Sequence, residues 1–552
     1  MLFRRQPSPR TKQLDAIVRP GPLPSGGVNF LDLFEGMPPT DAIALINARP
    51  NTRGVTVRDG YRVYAEALPG AGEVSSLMSY FPASVTSFPG SLVDGYIFAA
   101  TNNEVYDVTS GGSGPWTSLL AAPAASNFWT SINFQTAGGN FLLACNHGGG
   151  YYRLAATDLA NLAKIIAGGG AGQISGADPD DFAFVMEWKK RVWFVEKDST
   201  RAWYLPVAQI TGVVTQFDFG THFKHGGRLV GLYNWTIDGG EGIDDYLVAV
   251  GSEGDVVIFK GYDPDEAGSD PNAFQLHGVW YVGSLPAGRR SAKAMGGDVY
   301  IVTTQGMVQV SKLVALANLE TANATDKSAK VDNLIRDVMR TRASSLDWYV
   351  EDIPSSDYIF VGTPEVLSNQ GVRQLALTTR QGAWALFQDL PLKCVLDHDH
   401  YAFAGAMDGG KVYLLFNDLF DDADISGQNG VSILARITPA YSDFGLSGMY
   451  KVFEMVRPTL VYRYTPSVSV RVLTDFLAQA IASVASLTPV SGSRWNQAYW
   501  NQARWFGIAT PVRKWVGAPG GGYSATVQID LEAAGGTELV SLDWWFRQGG
   551  PL

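Results

Sequence analysis

The sequence predicts an all-β protein whose main body is a β-propeller-like array of repeated hairpins. In the stretch 245–261, DYLVAVGSEGDVVIFKG, two apolar runs flank a turn that contains Gly254. Arms of β-branched and aromatic residues around a glycine-containing turn are typical of a β-hairpin. Similar stretches begin at residues 95, 140, 191, 298, 372 and 401.

The spacing of these hairpins indicates a propeller. The first five start 45, 51, 54 and 53 residues apart, close to the roughly 40–50 residues of known propeller blades. The last two intervals, 74 and 29 residues, break this rhythm. A lone hairpin cannot bury both faces, whereas radial stacking covers them and leaves only short edges exposed. A string of unrelated β-sandwiches is the alternative.

Composition divides the chain into three predicted parts. Residues 1–42 are rich in proline and glycine and are expected to form an extended arm. Residues 43–430 are predicted to form the propeller-like domain, and the region 13–430 carries 28 basic and 46 acidic residues, a net charge of −18. Residues 431–552 carry ten basic and seven acidic residues and predict a separate β-sandwich-like domain.

One helix is predicted as an insertion in the propeller, at about residues 326–343. Its apolar stripe at helical spacing consists of Val331, Leu334, Ile335, Val338 and Met339. Asp326 can cap its start, and basic residues suit its C-terminal end. The helix either covers an apolar patch between blades or serves as a docking element.

Motifs for chemistry are incomplete. Residues 405–412, GAMDGGKV, lack the Ser or Thr that a phosphate-binding loop needs after its lysine, so a hairpin turn is predicted there. The acidic stretches beginning at Asp263 and Asp422 lack the final glutamate of a calcium loop. His222 with His225, and His398 with His400, show no third ligand at a convincing spacing.

These observations favour a protein that is not an enzyme and has no cofactor or metal. Cys145 and Cys394 lie in apolar strand patterns and are expected to be buried free thiols. The N-terminus has no apolar signal-peptide core, and no run of 18 apolar residues spans a membrane. We therefore expect synthesis in a reducing cytoplasm.

Three tryptophans spaced five apart suggest structural anchors or sugar-stacking platforms: Trp495, Trp500 and Trp505.

Four segments together resemble the tail nozzle, or tail tube, proteins of short-tailed bacteriophages. They are residues 26–61 (GGVNFLDLFEGMPPTDAIALINARPNTRGVTVRDGY), 374–394 (QLALTTRQGAWALFQDLPLKC), 435–461 (ARITPAYSDFGLSGMYKVFEMVRPTLV), and 495–505 (WNQAYWNQARW) with the closing Gln548-Gly549-Gly550. The likeness follows the same order along almost the whole chain, which is more specific than any single motif.

The resemblance implies a structural protein of the virion tail, made in the host cytoplasm. Such nozzles are similar to one another in forming homo-oligomeric, hexameric rings around the channel through which double-stranded DNA leaves. They lie below an adaptor ring on the portal and carry or abut the tail fibres. We therefore expect the basic cluster of the arm to act in assembly: Arg4, Arg5, Arg10 and Lys12.

Acidic loops of the middle domain are candidates for lining the DNA channel. A negative wall repels phosphates, whereas lysine and arginine would hold them through counterion release. Solvent-facing loops with no such role are the ordinary alternative. The candidates are Asp178, Asp180, Asp181, Glu241, Asp244, Asp245, Asp263, Asp265, Asp421, Asp422 and Asp424.

Two other functions are compatible with the sequence. A receptor-binding or glycan-cleaving tail propeller would use paired carboxylates and exposed tryptophans. A propeller scaffold that binds small partners in the cell would need neither ring assembly nor a DNA channel. The nozzle hypothesis predicts closed rings, which distinguishes it from both.

Overall fold

The computed structural model describes residues 16–82, 92–238, 243–316, 328–367, 371–417, 419–423, 430–485 and 510–551. It is mainly β, which confirms the predicted all-β class. The chain forms two compact units, residues 59–431 and residues 1–58 with 432–552. The sequence-based boundaries were placed after residues 42 and 430. In the structure, the strands between residues 16 and 57 lie in the same unit as the C-terminal region.

The described residues of the unit 59–431 form a propeller of seven small antiparallel sheets, here called blades 1 to 7. Blade 1 comprises Ser76–Tyr80, Tyr96–Thr101 and Glu104–Asp107. Blade 2 comprises Trp129–Thr136, Gly139–Asn146, Tyr151–Ala155 and Asp158–Lys164. Blade 3 comprises Phe182–Trp188, Arg191–Glu196, Arg201–Tyr204 and Thr215–Asp218. Blade 4 comprises Leu229–Asp238, Ile243–Gly251, Asp255–Gly261 and Phe274–Tyr281.

The remaining blades complete the ring. Blade 5 comprises Ala292–Met295, Asp298–Thr303 and Gly306–Gln309. Blade 6 comprises Tyr349–Ile353, Tyr358–Val366, Val372–Thr378 and Ala383–Leu390. Blade 7 comprises Leu392–His398, Tyr401–Ala406, Val412–Leu415 and Tyr61–Ala65. Short additional strands are Ile174–Ser175, Gly212–Val213, Asp422–Ala423 and Gly430–Val431.

Contacts between first strands show that the ring is closed. The first strand of each blade contacts that of the next, and the first strand of blade 7 contacts that of blade 1. Blade 7 also joins the two ends of the unit, because Tyr61–Ala65 pairs with Val412–Leu415. Closure covers the faces of the end blades, which would otherwise be exposed.

In the described residues between blades 5 and 6 there are two helices, Val310–Leu316 and Ala329–Arg342. The second confirms the predicted helix, and its buried face includes Val331, Ile335 and Met339. It contacts Gly306–Gln309 of blade 5 and strand 358–366 of blade 6, which supports the covering role. Among the described residues no helix is long and apolar enough to cross a membrane. Short 3-10 turns are Pro179–Asp181, Phe219–Thr221, Pro264–Glu266 and Pro354–Ser356.

The other unit contains two antiparallel sheets around a shared apolar core, as expected of a β-sandwich-like domain. The first sheet comprises Ala16–Pro20, Ala48–Pro50, Val55–Val57, Met449–Tyr462, Thr510–Arg513, Val516–Gly522 and Glu538–Pro551. The second comprises Ala42–Ile46, Ile433–Pro439, Ser467–Thr474, Leu477–Ala485 and Ala525–Ala533. Trp544 and Phe546 of the first sheet share this core with Val470 and Ile529 of the second.

Candidate functional site

The candidate site is the central channel of the propeller. First strands of all seven blades enclose a cavity of about 450 Å³, a volume within the range of small-molecule sites. Each blade contributes at least one residue of its first strand to the lining. From blade 1 to blade 7 these are Ser79, Ile132, Glu187, Asn234, Lys293, Glu351 and Asp397.

Arg290 crosses this channel. It precedes the first strand of blade 5, yet its Nη1 donates a hydrogen bond to the Ser75 carbonyl before blade 1, at 2.7 Å. Its guanidinium carbon lies 4.9 Å from the ring centroid of Phe128, just before blade 2. The backbone carbonyl of Arg290 accepts a hydrogen bond from the amide of Val350 in blade 6. One residue thus connects four blades.

Arg289 lies beside Arg290 and is 4% exposed. Its Nη1 donates to the carbonyls of Leu229 and Val230, at 3.0 and 2.7 Å, where blade 4 begins. Burial, with a smaller contribution from Arg228, lowers the pKa of Arg289 to about 10. The group stays charged at neutral pH, and its charge is stabilised by backbone carbonyl dipoles.

The same three arginines act on His147. Burial of its ring, followed by repulsion from Arg289, Arg290 and Arg228, lowers the pKa of His147 well below its usual value. The imidazole is therefore neutral at physiological pH. It faces the ring of Phe128 at a centroid distance of 6.1 Å.

Carboxyl groups occupy other positions in the channel. Lys293 of blade 5 forms an ion pair with Glu351 of blade 6. Burial raises the pKa of Glu351, and Lys293 opposes this effect. Burial also raises the pKa of Glu187. Asp397 accepts a hydrogen bond from the backbone amide of Ser355, at 3.0 Å. Carboxyl groups with raised pKa values in a cavity are the type of residue from which acid–base catalysts are recruited.

The other chemical candidates have structural partners. Cys145 and Cys394 are buried and unpaired, as predicted, and burial raises the pKa of the Cys394 thiol to about 11. His225 contacts Asp255 through Nδ1 at 2.8 Å, and His398 contacts a backbone carbonyl through Nε2 at 2.7 Å. Within the described ranges no group of three His, Cys, Asp or Glu side chains could hold a metal. Residues 405–412 form the predicted hairpin connection.

Several predicted acidic loop residues bind basic groups. Asp263 and Asp265 lie 2.8 and 3.0 Å from the guanidinium of Arg191, whose side chain is only 6% exposed. Asp265 also accepts a hydrogen bond from the hydroxyl of Tyr204, at 2.7 Å. The positive guanidinium offsets the charge of both carboxylates, so the acidic pair is accounted for by an ion pair.

The remaining acidic candidates do not form one cluster, and the prediction that they lie in loops is wrong for Asp244, Asp245 and Asp422, which lie in strands. Asp180 and Asp181 belong to one 3-10 turn, and Asp178 caps its start by accepting a hydrogen bond from the Asp180 amide. Asp180 also pairs with Lys164 at 2.8 Å. Lys189 binds Asp245 at 2.9 Å. Asp422 lies in the short strand Asp422–Ala423 and is largely buried. The carboxylate of the preceding Asp421 lies against Gly430. Asp244 lies in a blade 4 strand. The following predicted residues fall outside the described part of the chain: Arg4, Arg5, Arg10, Lys12, Glu241, Asp424, Trp495, Trp500 and Trp505.

Sequence reasoning did not single out Arg289, Arg290, Lys293 or Glu351. The available signal was the basic run RRSAK at residues 289–293, immediately before and within an apolar strand. The innermost strand of a propeller blade lines the central channel, so a basic group at its start is placed to reach into the channel or to bind a carbonyl at its rim. Both outcomes occur here, for Arg290 and Arg289 respectively.

Comparison with known proteins identifies similar structures but no family. No family model matches the chain, and no curated protein matches it. The solved structure of YCF48 bound to D1 peptide is 8% identical over 65% of this chain and 98% of its own, with a TM-score of 0.34. PorZ of the type-IX secretion system of Porphyromonas gingivalis is 12% identical over 65% of this chain and 38% of its own, with a TM-score of 0.34. The Myceliophteria thermophila Cps50 (Swd1) β-propeller domain is 10% identical over 64% of this chain and 99% of its own, with a TM-score of 0.37.

Proposed function

We propose that this chain is a non-enzymatic structural protein of a bacteriophage tail, of the nozzle type, in which the propeller is a rigid building block. The observation that carries the proposal is Arg290, which spans the channel and joins four blades. Lys293 and Glu351 likewise join blades 5 and 6. The charged groups of the channel thus hold the ring together, which suits a scaffold exposed to mechanical load.

The distribution of charge supports a role as a DNA conduit. Residues 59–431 carry 24 basic and 42 acidic residues, a net charge of −18, whereas the rest carries 18 basic and 11 acidic, a net charge of +7. A strongly negative surface repels a duplex, so DNA can pass without adhering. The likeness of residues 26–61, 374–394 and 435–461 to nozzle segments points the same way.

Electron microscopy of the purified full-length chain, together with its mass in solution, tests this proposal. We expect closed rings of identical subunits with an axial opening wide enough for double-stranded DNA. Antibodies against the chain should label the tail of the phage particle. A chain that stays monomeric at all concentrations and is missing from phage particles would overturn the proposal.

Glycan cleavage is the second candidate, and one observation favours it. Glu187 and Asp397 reach the same cavity from blades 3 and 7, and the pKa of Glu187 is raised by burial. A pair of carboxyl groups on either side of a sugar is what glycoside hydrolysis requires. Release of reducing sugars from host surface polysaccharide, abolished in both Glu187→Gln and Asp397→Asn, would establish this activity in place of the structural role.

A further inference from the structure

An exposed apolar surface lies on the unit formed by residues 1–58 and 432–552. Leu31, Leu33 and Phe34 are 53%, 85% and 47% exposed. The ring of Phe34 lies 6.2 Å from that of Tyr441 and 6.3 Å from that of Phe476, centroid to centroid. We call these five residues the apolar loop patch. Contiguous exposed apolar side chains of this kind mark interaction surfaces.

The loop that carries this patch is held in place by Asn29. The side-chain oxygen of Asn29 accepts hydrogen bonds from the amides of Leu31 and Asp32, at 2.9 and 3.1 Å. Its amide nitrogen donates to Asp32 and to Asp41, at 2.9 and 2.7 Å, and Asp41 is 1% exposed. The apolar side chains are therefore presented on a pre-organised backbone, which lowers the entropic cost of binding.

The rim of the apolar loop patch is acidic. Asp32 and Glu35 belong to the same loop, and Asp443 follows Tyr441 closely in the chain; all three are exposed. Within the described residues none of the three forms an ion pair. A partner surface for this patch should therefore be apolar at its centre and basic at its edge.

The same unit carries such a surface on its first sheet. Val18 pairs directly with Trp545, so the two side chains share a face, and Val18 is 55% exposed. Trp545 and Trp515 lie 6.1 Å apart, and the guanidinium carbon of Arg457 lies 4.7 Å from the Trp515 centroid. The neighbouring Trp544 points inward, as a core residue 1% exposed. We call Val18, Trp515, Trp545 and Arg457 the outer sheet face.

The outer sheet face carries an excess of positive charge. Arg457 pairs with Asp543 on this face, at 2.9 Å. Arg513, at the end of Thr510–Arg513, follows the core-facing Val512, is exposed, and forms no ion pair within the described residues. The apolar loop patch and the outer sheet face share no residue. The loop patch has an acidic rim, and the outer sheet face carries Arg513 without an ion pair among the described residues, so the two surfaces are complementary in both polarity and charge.

We propose that the apolar loop patch of one copy binds the outer sheet face of a second copy. The inference rests on the proposed function, because it names the surfaces through which the subunits would assemble. Contact between two unlike patches is heterologous, and repetition of such a contact gives rings or open filaments. Self-pairing of either patch would bring like charges together and is disfavoured.

Aspartate substitutions at exposed positions test the assignment. Leu33→Asp places a charge in the apolar loop patch, and Val18→Asp places one in the outer sheet face. Leu434, 61% exposed in the same unit and outside both patches, provides the matched control Leu434→Asp. We expect Leu33→Asp and Val18→Asp to sediment as monomers of 59.6 kDa, with unchanged thermal melting. The control should assemble like the wild type.

Mixing the two defective variants tests the heterologous arrangement. Leu33→Asp keeps an intact outer sheet face and Val18→Asp keeps an intact loop patch, so an equimolar mixture should form dimers and nothing larger. Failure of the mixture to form dimers, or normal assembly of either variant alone, would overturn the surface assignment while the nozzle proposal stands. A wild-type chain that never assembles would overturn both.

Discussion

Replacing Arg290 with methionine tests whether the channel arginine holds the propeller together. Methionine has a similar length and stays apolar, but it cannot donate to the Ser75 carbonyl, 2.7 Å from Nη1. A hydrogen bond from a charged donor contributes about 1.5–3 kcal/mol, and the contact with the Phe128 ring about 0.5–2 kcal/mol. The Nε and Nη2 atoms are buried without an acceptor among the described residues, so their removal returns about 1 kcal/mol. The expected net loss of stability is about 2 kcal/mol.

Urea unfolding followed by tryptophan fluorescence measures this loss, and hydrogen exchange locates it. Because Arg290 joins blades 5, 6, 1 and 2, amides in those blades should exchange faster than amides in blade 3. Arg380→Met is the control, since Arg380 forms a surface ion pair with Asp357 and its side chain is 74% exposed. Its loss should cost about 0–1 kcal/mol.

A double-mutant cycle with Phe128→Leu separates the two contributions of Arg290. We expect a coupling energy of about 0.5–1 kcal/mol between the guanidinium and the ring. If Arg290→Met unfolded like Arg380→Met, with uniform hydrogen exchange across the blades, the residue would not tie the ring together. Stabilisation by the methionine would show that burial of the charge costs more than its contacts contribute.

Three further predictions concern other parts of the propeller. Folded His147 has a lowered pKa, so unfolding takes up a proton and stability should fall as pH drops below about 6.5; His147→Gln should flatten this slope in thermal melts. A methyl group on Gly405 would lie 2.2 Å from a backbone carbonyl oxygen, so Gly405→Ala should reduce the yield of folded protein and lower the urea midpoint. Replacing both Asp263 and Asp265 with asparagine leaves the buried charge of Arg191 unpaired and should cost about 3 kcal/mol in urea unfolding, whereas calcium should not restore stability.

The blade repeat could be recognised from the sequence because each hairpin is a local pattern. The stretches beginning at residues 95, 140, 191, 245 and 298 are the second and third strands of blades 1 to 5. The stretch beginning at residue 372 is the outer pair of blade 6, so it starts late and is closely followed by blade 7 at residue 401. The helices Val310–Leu316 and Ala329–Arg342, between blades 5 and 6, also lengthen this interval.

The channel contacts could not be predicted, because they depend on closure of the ring. Arg290 and Ser75 are 215 residues apart, and nothing in either neighbourhood indicates the other. The same holds for the strand Ala42–Ile46, which pairs with Ile433–Pro439, and for Val55–Val57, which pairs with Glu538–Pro551. Their short apolar alternation predicts strands but does not say which sheet they join.

The ion pairs of the propeller decide which acidic loop can test the proposed DNA channel. A carboxylate bound to a guanidinium about 3 Å away acts on DNA as part of a dipole, whose field decays faster than that of a net charge. Reversing Asp263 or Asp265 would also unpair Arg191, and slow ejection would then reflect a damaged fold. Asp181 is exposed and forms no ion pair within the described residues. If its loop faces the channel, Asp181→Lys should leave thermal melting and tail assembly unchanged but slow genome ejection, most strongly at low salt, where the Debye length is longest. Ejection at the wild-type rate in about 10 mM salt would place this loop away from the DNA.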